Sequence, residues 1–167
     1  MRGCGALLFI STVLALAVAY IGEFVYGLVP CRLCLYERVP YFVALLFSAI
    51  SVLKGDKYSF FFTVACYVGG IALSVYHVGL EYGLFTDFLQ CADGLGLSSN
   101  IDEIKRDLLN KDVAVSCRVP GAVFLGLSIS GWNVVYAVLC VSLAFAVKKH
   151  GFKGVYRIAV RVVSPNR

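Results

Sequence analysis

From Gly5 to Val29 the chain carries one charged residue, Glu23, in twenty-five positions. Held as a helix rising ~1.5 Å per residue, such a run outspans the ~30 Å hydrocarbon core of a bilayer. Lipid offers no partner for a backbone N–H or C=O, so a segment of this kind is confined to structures that pair those groups internally. Three more apolar stretches follow, at about Val39–Leu53, Tyr58–Leu80 and Ala122–Val147. The first of these reaches only ~22 Å, so its helix is expected to begin earlier, carrying Arg38 close to the membrane boundary. The predicted spans are about 5–29, 36–53, 58–80 and 122–147, with loops 30–35 and 81–121 on one side and a basic tail, 148–167, on the other. Short connections between the first three make them antiparallel neighbours. The expected fold is an all-α integral membrane protein, a four-transmembrane-helix antiparallel bundle in one membrane domain.

Composition excludes the soluble alternatives. With 60% hydrophobic and 15% charged residues in 167 and a mean hydropathy of +0.84, the chain lacks the polar surface to cover a globule in water. The net charge of +5 does not call for nucleic acid, because Lys148, Lys149, Lys153, Arg157, Arg161 and Arg167 all fall in the last twenty residues. A tail of that kind suits anionic lipid. With both termini inside, nine Lys and Arg lie inside and six outside, so the termini are expected in the cytoplasm. The alternative for the first run is a cleavable signal peptide, since Ala17-Val18-Ala19 has a small-x-small form, but the apolar stretch continues well past it. In the long loop, Ile101, Ile104, Leu108 and Leu109 recur at helical spacing after Asn100, a pattern that predicts a short amphipathic helix.

Seven cysteines divide by position. Cys4, Cys66 and Cys140 lie within or at the inner ends of spans and read as small apolar side chains. Cys31, Cys34, Cys91 and Cys117 lie in the two external loops, where disulfides persist. Cys31 and Cys34 form a C-x-x-C pair, whose tight ring constrains little and suits a disulfide that exchanges. Arg32 and Arg38 add positive charge that favours a thiolate. Cys91 and Cys117 would close a 27-residue loop, worth ~3 to 4 kcal/mol as a staple, or take part in exchange. Two dithiol pairs need an electron acceptor, yet no Gly-rich dinucleotide fingerprint is present and His77 and His150 are too far apart for paired haem ligation. A lipid-soluble quinone is the economical acceptor. Arg38, one turn after Cys34, is the candidate ligand for a quinone carbonyl, with a snorkelling anchor as its alternative. His77 and Glu81, four apart on one helical face, are candidates to orient or protonate it. No metal and no nucleotide is expected. Glu23, Asn133, and Gly79 with Gly83 at G-x-x-x-G spacing read as packing and polar glue.

The string CRLCLYERVPY resembles the C-x-L-C-x-x-E-R-x-P-Y signature of the DsbB family of bacterial inner-membrane disulfide-forming oxidases, and YHVGLEYGLF and FLGLSISGWN are similar to further family segments. The resemblance implies a quinone-dependent protein-disulfide oxidoreductase. A soluble DsbA-like thioredoxin-fold partner would reduce Cys91–Cys117, Cys31 and Cys34 would reoxidise that pair, and Cys34 would face ubiquinone or menaquinone. It places Arg38 and His77 at the quinone site, where Glu37 and Glu81 complete the expected binding set, and the cysteine loops in the periplasm. The CRVPGAVF stretch around Cys117 lacks the acidic and Trp residues of many relatives. Two other classes stand beside this one: a quinone-linked oxidoreductase working in the reducing direction, like the vitamin K epoxide reductase group, and a non-enzymatic membrane protein whose disulfides staple its loops.

Overall fold

The computed structural model describes residues 2–87 and 116–163. Four helices carry the chain: α1 Arg2–Phe24, α2 Arg32–Lys54, α3 Lys57–Glu81 and α4 Ile129–Val163. A two-residue-per-strand hairpin, β1 Val123–Phe124 and β2 Leu127–Ser128, precedes α4. Arg2–Phe24, Arg32–Lys54, Lys57–Glu81 and Ile129–Gly151 are each long and apolar enough to cross a membrane. Gly151, at φ 70° and ψ 166°, breaks the helical path where the fourth span ends.

The helix ends follow from local chemistry. α1 stops at Phe24, short of the expected Val29, because Gly27 takes a left-handed φ of 66° and the Leu28 N–H closes onto the Gly22 carbonyl at 3.1 Å. Between α2 and α3, Gly55 is the left-handed cap, and the Asp56 carboxylate accepts the Ser59 N–H at 2.8 Å, an N-cap that satisfies one orphan donor of the new helix. α2 runs through Pro40, with Gly70 of α3 opposite its ring. The fourth helix begins at Ile129 rather than near Ala122. Leu125 and Gly126, both at positive φ, make the two-residue turn that suits a right-twisted hairpin, and the Trp132 indole ties it to α4 by donating to the Phe124 carbonyl at 2.8 Å.

α2 packs on α1 and α3, and α4 closes the ring against α3 and α1. Leu8, Leu16, Tyr41, Ala44, Phe60, Val64, Tyr67, Ala137, Cys140, Ala144 and Val147 fill the interior. Small residues permit the close approaches: a Cβ added at Gly5 would lie 2.8 Å from Ser51 Oγ. Ile10, Val18, Leu46, Phe61 and Leu139 stand exposed around the outside, as expected where lipid is the solvent. Cys4 and Cys140 lie in this core, with the half-buried Cys66 packed against it. The amphipathic helix expected around Ile101–Leu109 lies outside the described residues, as does Cys91.

Candidate active site

The end of α1, the start of α2, the end of α3 and the start of α4 meet at one end of the bundle, and most of the chemistry read from the sequence collects there. Cys31 is the N-cap of α2, its sulfur accepting the Cys34 N–H at 3.2 Å. The C-x-x-C spacing is thus that of an N-cap and the third residue of the helix. The two sulfurs stand 2.7 Å apart, within an ångström of the ~2.05 Å of a disulfide. Cys34 beside it, with burial, holds the Cys31 thiol well above the ordinary cysteine range.

A second cluster forms beneath the first helix turn. Cys31, Leu33, Leu80 and Cys117 are buried together, and Cys117 is 1% exposed. The Cys31 and Cys117 sulfurs and a ring nitrogen of His77 all lie within 4.8 Å of one another. Thiols 86 residues apart in sequence are therefore neighbours in space.

His77 faces this sulfur pair with one nitrogen and a carboxylate with the other. Its Nε2 is 3.5 Å from Cys31 Sγ, and its Nδ1 is 2.7 Å from Glu37 Oε1. With the carboxylate accepting from Nδ1–H, Nε2 is left to accept a proton from, or return one to, sulfur. Ser130 Oγ lies 3.0 Å from Nδ1 and donates to Glu81 Oε1 at 3.1 Å. Glu37 Oε2 accepts from Asn133 Nδ2 at 3.1 Å, and Asn133 Oδ1 accepts from the Tyr41 hydroxyl at 2.7 Å. Buried polar groups so fully paired fix one arrangement of the helix ends. One atom is left over: Glu81 Oε2 is buried without a hydrogen-bond partner among the described residues.

Arg38 turns to α1. Its Nη1 donates to Glu23 Oε2 at 2.5 Å and the guanidinium stacks 4.8 Å from the centre of the Tyr20 ring. Its side chain is 12% exposed. Glu23 and Asn133, read from the sequence as polar glue, make interhelical hydrogen bonds to Arg38 and to Glu37, Ser74 and Tyr41. Sequence reasoning missed Ser130 altogether, and the nearest signal was the SISGWN segment at the start of α4. The G-x-x-x-G reading is corrected. Gly83 lies past α3 at φ 69°, closing a cap in which Leu84 N–H reaches the Gly79 carbonyl at 2.7 Å and Gly83 N–H the Leu80 carbonyl at 3.0 Å, the Schellman pattern. A Cβ at Gly79 would meet the Phe85 ring of the following turn first.

A four-span helical membrane bundle with paired thiols against an imidazole at one end defines a membrane protein built for thiol–disulfide chemistry. The chain belongs to the DsbB family, disulfide bond formation protein DsbB, whose model matches residues 1–147. That membership carries disulfide bond formation and thiol oxidoreductase activity as its chemistry. The chain is also 28% identical over 127 residues to an uncharacterized protein, RP370, of Rickettsia prowazekii (strain Madrid E), covering 74% of this chain and 73% of that one.

Proposed function

We propose that this chain is a thiol oxidase that reoxidises a soluble, periplasmic DsbA-like dithiol protein and passes the electrons to a membrane quinone, sustaining disulfide formation outside the bacterial inner membrane. The termini are cytoplasmic and loops 30–35 and 81–121 periplasmic in this reading, and the chain is one membrane domain. The observation that carries it is the burial of Cys117 against Cys31 and His77. Loop-stapling disulfides alone do not require a second-loop thiol to pack on the C-x-x-C pair.

The exchange balances through these sulfurs. The partner's thiolate attacks Cys91 of the Cys91–Cys117 disulfide, forming a mixed disulfide and releasing Cys117. Cys117 then attacks Cys31, the Cys31–Cys34 bond breaks as a Cys31–Cys117 bond forms, and Cys34 leaves as the thiolate. The partner's second thiol displaces Cys91 from the mixed disulfide, releasing the oxidised partner; Cys91 then attacks Cys117, the Cys31–Cys117 bond breaks and Cys31 leaves, so that Cys91–Cys117 is restored and the two electrons rest on the Cys31 and Cys34 thiols. His77 Nε2 holds or returns the proton at Cys31, with Glu37 fixing the ring.

The donor set fits a quinone. Arg38 retains N–H donors beyond the one given to Glu23, and the partnerless Glu81 oxygen is an acceptor for a quinol hydroxyl or a site for a proton. Arg38, Glu37, His77 and Glu81 would hold it. When bound, the quinone supplies a sink for two electrons and two protons.

Purified protein tests the reading. Loss of quinone absorbance driven by a reduced thioredoxin-fold protein is the expected result. Intact disulfides with no quinone reduction favour the stapled scaffold, and net reduction of the partner by quinol favours the reverse direction.

A further inference from the structure

The sulfur and imidazole cluster has a second chemical property that electron transfer does not use. Cys31 Sγ, Cys117 Sγ and a His77 ring nitrogen, all from buried residues, fall within 4.8 Å of one another. Ligand atoms sharing one tetrahedral zinc, at ~2.3 Å for sulfur and ~2.0 Å for nitrogen, stand roughly 3.3 to 3.8 Å apart. The Cys31 Sγ to His77 Nε2 distance of 3.5 Å already has that value. The histidine is set up as a ligand as well. Its far nitrogen is 2.7 Å from the Glu37 carboxylate, the outer-sphere partner that orients metal-bound imidazoles and raises their basicity.

We propose that the fully reduced protein binds a thiophilic divalent cation of the zinc type through Cys31, Cys117 and His77, and that this ligation halts thiol exchange. The binding claim rests on geometry alone; the consequence for exchange rests on the oxidase reading above. Two thiols lose their protons as two sulfur–metal bonds form, and no electrons move, so only the reduced state takes up the ion. A disulfide at either cysteine removes a ligand. The cation is thus an inhibitory ligand competing with oxidation rather than a resident cofactor, and soft sulfur donors select it over magnesium or calcium.

The test uses full-length protein in detergent, reduced with a phosphine that is then removed, and titrated with zinc alone against a chromophoric chelator. One tight site in the reduced protein and none after diamide oxidation are expected. Cys117→Ser and His77→Gln should each weaken zinc binding by more than about 100-fold, and Glu37→Gln by ~10 to 100-fold as an outer-sphere loss. Cobalt in place of zinc should give tetrahedral ligand-field bands with sulfur charge-transfer absorption, a readout that also reports whether each variant keeps a formed site. Equal zinc affinity in Cys117→Ser would overturn the proposal by reducing the site to the C-x-x-C pair. An oxygen-only octahedral cobalt spectrum, or equal uptake by oxidised protein, would overturn it too. Quinone reduction by zinc-free protein is measured separately, so failure of the oxidase reading leaves the titration interpretable.

Discussion

Arg38 shows how one residue's chemistry depends on a neighbour in another helix. A guanidinium free to swing between headgroups and a quinone would lose much of its interaction to rotamer entropy. The Glu23 carboxylate and the Tyr20 ring hold it in place, so Glu23 acts as its positioning residue. Glu23→Gln should raise the quinone KM by about tenfold, ~1.4 kcal/mol, while leaving the partner protein's KM near its original value. Glu23→Gln combined with Arg38→Gln should cost less than the sum of the two, since residues in direct contact couple; strict additivity in quinone kinetics would show that the pair does not work as a unit. Cys31 makes a second prediction at this scale. Because its folded-state pKa is raised, its thiolate fraction stays low until pH rises well past the ordinary cysteine value near 8.5. In the reduced protein, iodoacetamide should modify Cys31 more slowly than free cysteine at about that pH, as mapped by peptide mass spectrometry. Arg38, Cys31 and Cys34 were legible because motif spacing singles them out. Glu23 was not, since nothing in a linear string says that residues 15 apart, across a turn, will form an ion pair.

At the scale of elements, the end of α3 is fixed by its cap. The Gly83 cap folds residues 82–87 back over the helix, the Phe85 ring lies on Gly79, and Phe85 stacks on Tyr76 at 5.9 Å between centroids. A Cβ at Gly79 would sit 2.0 Å from the Phe85 ring, so the ring must leave. Gly79→Ala should destabilise the fold by about 1 to 3 kcal/mol, the usual cost of overpacking, and Phe85→Leu should restore part of it; thermal unfolding in detergent reads both. The sequence showed Gly79 and Gly83 at a spacing shared by helix-packing motifs and helix caps, and periodicity alone does not separate them. The hairpin before α4 was hidden for a related reason. AVFLGL carries no polar side chain, and a run of that kind reads as helix when the turn depends on Leu125 taking a positive φ.

For the whole molecule, the two loops must converge for the relay to operate. Replacing any of Cys31, Cys34, Cys91 or Cys117 by Ser should abolish steady-state quinone reduction, whereas Cys4, Cys66 and Cys140 replacements should retain it. Cys117→Ser should also accumulate a covalent complex between Cys91 and the thioredoxin-fold partner, seen on a non-reducing gel and lost with dithiothreitol; a partner mapped to Cys31 or Cys34 instead would reverse the order of the pairs. Orientation has its own check. In a cysteine-depleted background, Val119→Cys should react with an impermeant maleimide in intact spheroplasts and Lys54→Cys should react only after lysis. The number of spans, the class of fold and the C-x-x-C pair were determined by the sequence itself, because bilayer thickness and backbone satisfaction leave a long apolar run no other form and C-x-x-C is a local motif. Which polar residues became one site was decided only by tertiary structure. Glu37, His77, Ser130 and Asn133 come from three helices, and Cys117 comes from a loop. Their meeting depends on helix rotation and on where each helix ends, which packing against neighbours sets and hydropathy does not record.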